Sequence, residues 1–93
     1  MTYRVVHVRI EGRVQGVGYR AWTAATARDI GLTGWVRNRR DGAVEAVFQG
    51  LPDAVADMLR RCERGPRDAL VSCVEILGEG GGAYDTFEVW STA

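Results

Sequence analysis

Ninety-three residues are enough for one domain that buries about two-thirds of its unfolded surface, and 46% hydrophobic with 26% charged residues is a globular balance, not a disordered one. Twelve basic and twelve acidic residues cancel, so no whole-molecule field draws the chain toward nucleic acid or an anionic membrane, and any attraction for anions has to be local. All twelve cationic residues are arginines, which excludes a Schiff-base amine and a P-loop lysine.

From Tyr3 to Glu11 the residues alternate, with Val6, Val8 and Ile10 on one side and His7, Arg9 and Glu11 on the other: a half-buried strand. His7, the single histidine, falls on the polar side and reads as a solvated strand position. Without a second ligand or a neighbouring nucleophile it makes neither a metal site nor a triad. The alternation from Met1 to Ile10 leaves no apolar run of the secretory kind, and no stretch reaches membrane-spanning length, so a cytoplasmic protein is expected.

Next comes a run with three glycines in seven positions, Gly12-Arg13-Val14-Gln15-Gly16-Val17-Gly18, ending in Tyr19-Arg20. An alanine-rich segment to Ile30 follows, so the order is strand, glycine turn, helix. Tyr19, Thr23, Ala27 and Ile30 recur at helical spacing and are expected to face a sheet, with Gly31 closing the helix. Trp22 lies off that stripe and is expected to be partly exposed, near the mouth of any pocket the glycine turn forms.

Gly34 to Arg39 and Ala43 to Gly50 read as two strands joined by a tight turn at Arg40-Asp41-Gly42. On the second strand Val44, Ala46 and Phe48 alternate with Glu45, Val47 and Gln49. Pro52 suits a first helical position, Asp53 complements the helix dipole, and Val55, Met58, Leu59 and Cys62 repeat at i, i+3, i+4 and i+7. Gly65-Pro66 ends this second helix. Leu70 to Leu77 reads as a strand, Gly78 to Gly82 as a loop, and Tyr84 to Trp90 as a last strand. Cys62 and Cys73 lie in different segments and in no metal-ligand spacing, so both are expected to be reduced packing residues.

Two split strand-helix-strand units with an extra strand at the end predict an α+β ferredoxin-like sandwich, a single domain over 1–93 with both helices on one face of a mostly antiparallel sheet. That fold hosts many functions, so function has to be read from the site.

A glycine loop running into a helix N-terminus presents unpaired N–H groups to an anion, and the planar fork of Arg20 at the helix start reaches the same anion. The loop lacks the Gly-Lys-Ser/Thr ending of a nucleotide P-loop and the Gly-x-Gly-x-x-Gly fingerprint, so a free phosphoryl group is the better-matched guest. Asn38, at the end of the following strand, lies in the same sheet and can approach the loop. Alternatively its carboxamide makes a local bond to backbone.

The run from Gly12 to Arg20 resembles the first acylphosphatase signature. Gly34-Trp35-Val36-Arg37-Asn38 with Gly42, Val44 and Gly50 resembles the second. The resemblance covers essentially the whole chain. It departs at Arg39-Arg40, where many relatives carry an apolar residue and proline, and in the glycine run Gly80 to Gly82. It implies hydrolysis of acyl phosphates to a carboxylate and orthophosphate. The amides of Gln15, Gly16, Val17, Gly18 and Tyr19, together with Arg20, would hold the phosphoryl group, and Asn38 the attacking water. It implies no metal and no organic cofactor, a small-molecule substrate and no nucleic acid or membrane partner, and a monomer is expected. The competing reading is a non-catalytic module of the same fold that binds anions, RNA or protein. RNA-binding versions present aromatic residues on the sheet face, whereas the first strand here offers His7 and Arg9. A second alternative is the acylphosphatase-like domain of hydrogenase-maturation proteins, which acts on carbamoyl phosphate. A chain with no attached domain favours the free-standing enzyme.

Overall fold

A computed structural model describes residues 2–93; Met1, the first residue of the expected domain, lies outside the described residues. The elements follow the expected order: β1 (Arg4–Arg13), α1 (Tyr19–Asp29), β2 (Thr33–Asn38), β3 (Val44–Gly50), α2 (Pro52–Arg64), β4 (Leu70–Glu79) and β5 (Phe87–Val89). They form one sheet in the order β4-β1-β3-β2-β5, antiparallel throughout except for the parallel β2–β5 pair. This is the ferredoxin-like α+β sandwich with one added strand.

Period-2 alternation explains which face carries the helices. Val6, Val8 and Ile10 of β1 meet Val44, Ala46 and Phe48 of β3 in register, and all six are wholly buried. Against them pack Tyr19, Ala24 and Ala27 of α1 and Val55, Met58 and Cys62 of α2. Each fully buried aliphatic side chain in this layer contributes about 1.5 to 3 kcal/mol relative to its exposed state. Ile30 and Leu59, expected in the two stripes, sit at the margin and are only half-buried. Tyr19 Oη donates to the Cys62 carbonyl at 2.7 Å, joining the start of α1 to the end of α2. Burial pushes the Cys62 thiol up to about 12, so it is a protonated packing group and no nucleophile.

The last two strands and one cysteine depart from the sequence reading. β4 continues through Gly78 and Glu79, because β1 still offers it a partner there, Gly78 opposite His7 and Glu79 opposite Val6. β5 is only three residues long, Phe87–Val89, since only these pair with Gly34, Trp35 and Val36. Cys73 is exposed on β4, an edge strand covered on one side only, so it is not a packing residue.

The face away from the helices is also less solvated than alternation suggests. Trp35 and Trp90 stack at 4.3 Å, Arg37 lies 5.0 Å over the Trp35 ring, and the His7 ring is 5.9 Å from Trp35. His7 Nε2 is 2.5 Å from Glu45 Oε2, and facing a carboxylate that nitrogen carries the proton. Arg37 Nε donates to the other Glu45 oxygen at 2.8 Å. His7 is therefore a half-buried partner in a cross-strand cluster, correcting its assignment as a solvated position.

Burial alone would raise the Glu45 carboxyl. The hydrogen bonds from Arg37 and His7 outweigh it and hold the group below its ordinary 4.5. A carboxyl lowered in the folded state adds stability above its unfolded value, and that stability is lost on acidification through the folded value. The gap in urea midpoint between wild type and Glu45→Gln is therefore expected to be full near neutral pH and to shrink as pH falls below 4.5. A gap that stays constant down to the acid transition would show that the charge of Glu45 contributes nothing.

Candidate active site

β1 leaves the sheet at Arg13, and the five residues before α1 turn sharply. Val14 anchors the turn in the core, only 1% exposed. Gly16 and Gly18 hold φ values of 74° and 79°, which L side chains rarely adopt, although both have open space around a built Cβ. Their requirement is thus conformational rather than steric. Left-handed residues alternating with ordinary ones curl a chain so that successive N–H groups converge on a concavity. The curl runs directly into α1, whose N-terminus has no side-chain cap and no acidic residue in its first turn. Its free N–H groups and positive dipole end add to the same anion-attracting spot.

Facing the loop is the end of β2. Asn38 pairs with Val44 of β3 on one side, and on the other its carbonyl accepts from Ala93 N–H at 3.1 Å. The Ala93 carbonyl in turn accepts from Arg40 N–H at 2.9 Å, so the backbone carrying Asn38 is gripped from both flanks. The Gln15 side chain ties this strand end to the loop. Its Nε2 donates to the Arg39 carbonyl at 2.7 Å and to the Ala43 carbonyl at 2.8 Å, the two residues that close the β2–β3 turn.

Together these elements enclose a cleft of about 350 Å³ lined by Val14, Gln15, Gly16 and Gly18 of the loop, by Tyr19, Arg20 and Ala21, and by Asn38 and Val89. The structure thus brings Gln15, Gly16, Gly18, Tyr19, Arg20 and Asn38 to one place. Val17 does not line the cleft; its side chain packs against the core. Tyr19 contributes through its backbone, since its ring is buried and its hydroxyl committed to Cys62. Trp22 is absent from the lining and borders a different hollow, so its expected place at the pocket mouth is corrected. Arg39 does not line the cleft either, and its Nη1 is 3.4 Å from Glu45 Oε1.

Neither polar group at the cleft is spent on the protein. Among the described residues no carboxylate pairs with Arg20, while Arg4, Arg9, Arg37, Arg39, Arg60 and Arg61 are all in ion pairs. The Asn38 carboxamide likewise makes no side-chain hydrogen bond there, in contrast to the local backbone bond that was its alternative. Glu11 and Asp41, the nearest acids in sequence, both bind Arg9, at 3.2 and 2.8 Å, and do not reach the lining. No cluster of three His, Cys, Asp or Glu side chains able to hold a metal occurs among the described residues.

The acylphosphatase family model matches residues 6–89. The chain belongs to the acylphosphatase family. An acylphosphatase of Synechococcus is 53% identical over 87 residues, covering 94% of this chain and 93% of that protein. One of Rhodopseudomonas palustris is 58% identical over 74 residues, 80% of this chain and 75% of that protein. The solved acylphosphatase of Coxiella burnetii superposes with a TM-score of 0.90 at 35% identity, covering 95% and 93% of the two chains. The fold and the order of elements are therefore those of acylphosphatases. No helix is long and apolar enough to cross a membrane among the described residues.

Proposed function

We propose that this acylphosphatase family member hydrolyses acyl phosphates by direct attack of water at phosphorus, as a single unit over 1–93. The observation that carries the reading is the meeting of an unpaired guanidinium and an unpaired carboxamide across one cleft floored by a left-handed glycine curl.

In this reading the backbone N–H groups of Gln15, Gly16, Val17, Gly18 and Tyr19 and the fork of Arg20 hold the phosphoryl oxygens. Val14, Ala21 and Val89 give the acyl group an apolar wall. The Asn38 carboxamide holds the water in line with the bond to be broken. Gln15 positions Asn38 by locking the turn behind it, a contact that fixes the distance between the phosphate cradle and the water site.

The water oxygen forms a bond to phosphorus as the bond from phosphorus to the acyl oxygen breaks, and the carboxylate leaves with the electron pair. A carboxylic acid has a pKa of roughly 4, so this leaving group needs no proton at neutral pH. The phosphoryl oxygens take the proton of the attacking water, consistent with a cleft that no carboxylate or imidazole lines. A loose phosphoryl-transfer transition state asks chiefly for positioning and charge stabilisation, which this cradle offers. The protein acts as a cytoplasmic monomer on a small-molecule substrate.

Hydrolysis of benzoyl phosphate, followed spectrophotometrically with a chelator present, tests the reading. Turnover that persists in chelator is expected. Folded protein without turnover would return the chain to a non-catalytic binding role, and activity abolished by chelator would overturn the metal-free step.

A further inference from the structure

On the outer surface between α1 and α2 lies a second concavity of about 460 Å³, lined by Trp22, Thr26, Arg60, Arg61, Arg64 and Gly65. It shares no lining residue with the cleft at Arg20. Arginines in the last turns of a helix complement its dipole, which accounts for their sign. It does not account for three guanidinium groups bordering one hollow opposite an indole.

The charges there are unbalanced. Among the described residues Asp57 is the one acid that engages them, with Arg60 Nη2 at 3.4 Å from Oδ1 and Arg61 Nε at 3.1 Å from Oδ2. No carboxylate among the described residues pairs with Arg64. Arg37 lies over both Trp35 and Trp90, whereas among the described residues no guanidinium lies over Trp22, which is half-buried against the core beside a tilted Tyr19 ring at 5.3 Å. Three arginines and this indole line the same hollow. The volume lies in the range of small-molecule sites, enough for a flat ring and a phosphate together.

We infer that this hollow binds an anionic ring compound of the nucleoside phosphate class. The base stacks on Trp22, and the phosphate oxygens accept hydrogen bonds from Arg61 and Arg64, whose planar forks match that geometry. A compact inorganic anion would use the charges alone and bind more weakly.

The test is an NMR titration of the ¹⁵N-labelled chain with AMP, and in parallel with inorganic phosphate, reading the three indole N–H signals. The Arg20→Gln variant removes the grip of the catalytic cleft and separates the two sites. AMP is expected to move the Trp22 indole saturably in both wild type and Arg20→Gln, with Trp35 and Trp90 as internal controls. The Arg61→Gln/Arg64→Gln double variant, changed only at exposed positions, is expected to bind AMP about tenfold or more weakly, the consequence of losing charge-assisted hydrogen bonds. Its hydrolysis of benzoyl phosphate is expected to be unchanged. Trp22→Leu should weaken AMP and Trp22→Phe should keep it. The inference is overturned if AMP shifts vanish in Arg20→Gln, if the double arginine variant binds as well as wild type, or if inorganic phosphate moves the Trp22 signal with the affinity of AMP.

Discussion

Replacing Arg20 by lysine is expected to cut kcat/KM for benzoyl phosphate by roughly 10²- to 10³-fold, the range found when one preorganised transition-state donor is lost. The charge survives this change, so a purely coulombic role predicts little effect. What disappears is the planar fork that can reach two phosphoryl oxygens at once, and an ammonium on a flexible stem does not replace it. Because Arg20 has no carboxylate partner to lose, the variant leaves no orphaned acid behind, and its fold is expected to be intact. Inorganic phosphate binding, measured by calorimetry, should weaken as well, because the same fork grips ground state and product. Near-normal kinetics in a folded Arg20→Lys protein would remove the guanidinium from the reaction.

Asn38→Ala separates the second role from the first. Turnover is expected to fall by roughly 10²-fold, while affinity for inorganic phosphate stays close to that of wild type. The separation follows from the geometry: the glycine curl and Arg20 belong to the β1–α1 junction, and Asn38 belongs to the far strand end, held by the backbone bonds from Ala93 N–H to the Asn38 carbonyl and from Arg39 N–H to the Ala43 carbonyl. Removing the carboxamide leaves those bonds in place. A variant with weakened phosphate binding and unchanged kcat would reverse the assignment and make Asn38 a phosphate ligand.

Asn38 stood out as a candidate only beside the loop and through the family resemblance, whereas the glycine loop and Arg20 stood out because each is encoded locally, as residue types whose backbone freedom or donor pattern has meaning within a few positions. The core stripes were readable for the same reason, through the 2.0 and 3.6 periods of Val6-Val8-Ile10 and Val55-Met58-Cys62. Contacts that depend on strand register were not. Glu45 looks like one polar residue of an alternating strand, and only the pairing of β3 with β2, which sets Arg37 opposite it, and with β1, which sets His7 on the diagonal, makes it the centre of a charged cluster. The clamp from Gln15 to the β2–β3 turn is likewise invisible along the chain, since the side chain that makes it sits inside a motif usually read for its amides. Trp22 was placed near the pocket because spacing along α1 does not show that its side of the helix borders a hollow walled by the end of α2. Exposure of Cys73 depends on β4 lying at the sheet edge, a matter of strand order.

The glycine curl begins where β1 ends, and β1 finds one neighbour only beyond the first helix and the next only beyond the second. Closing such distant loops is slow, so competence arrives late in refolding, after the central pairings have formed. A phosphate ion that needs the finished curl should then leave the refolding rate nearly untouched and act almost wholly by retarding unfolding.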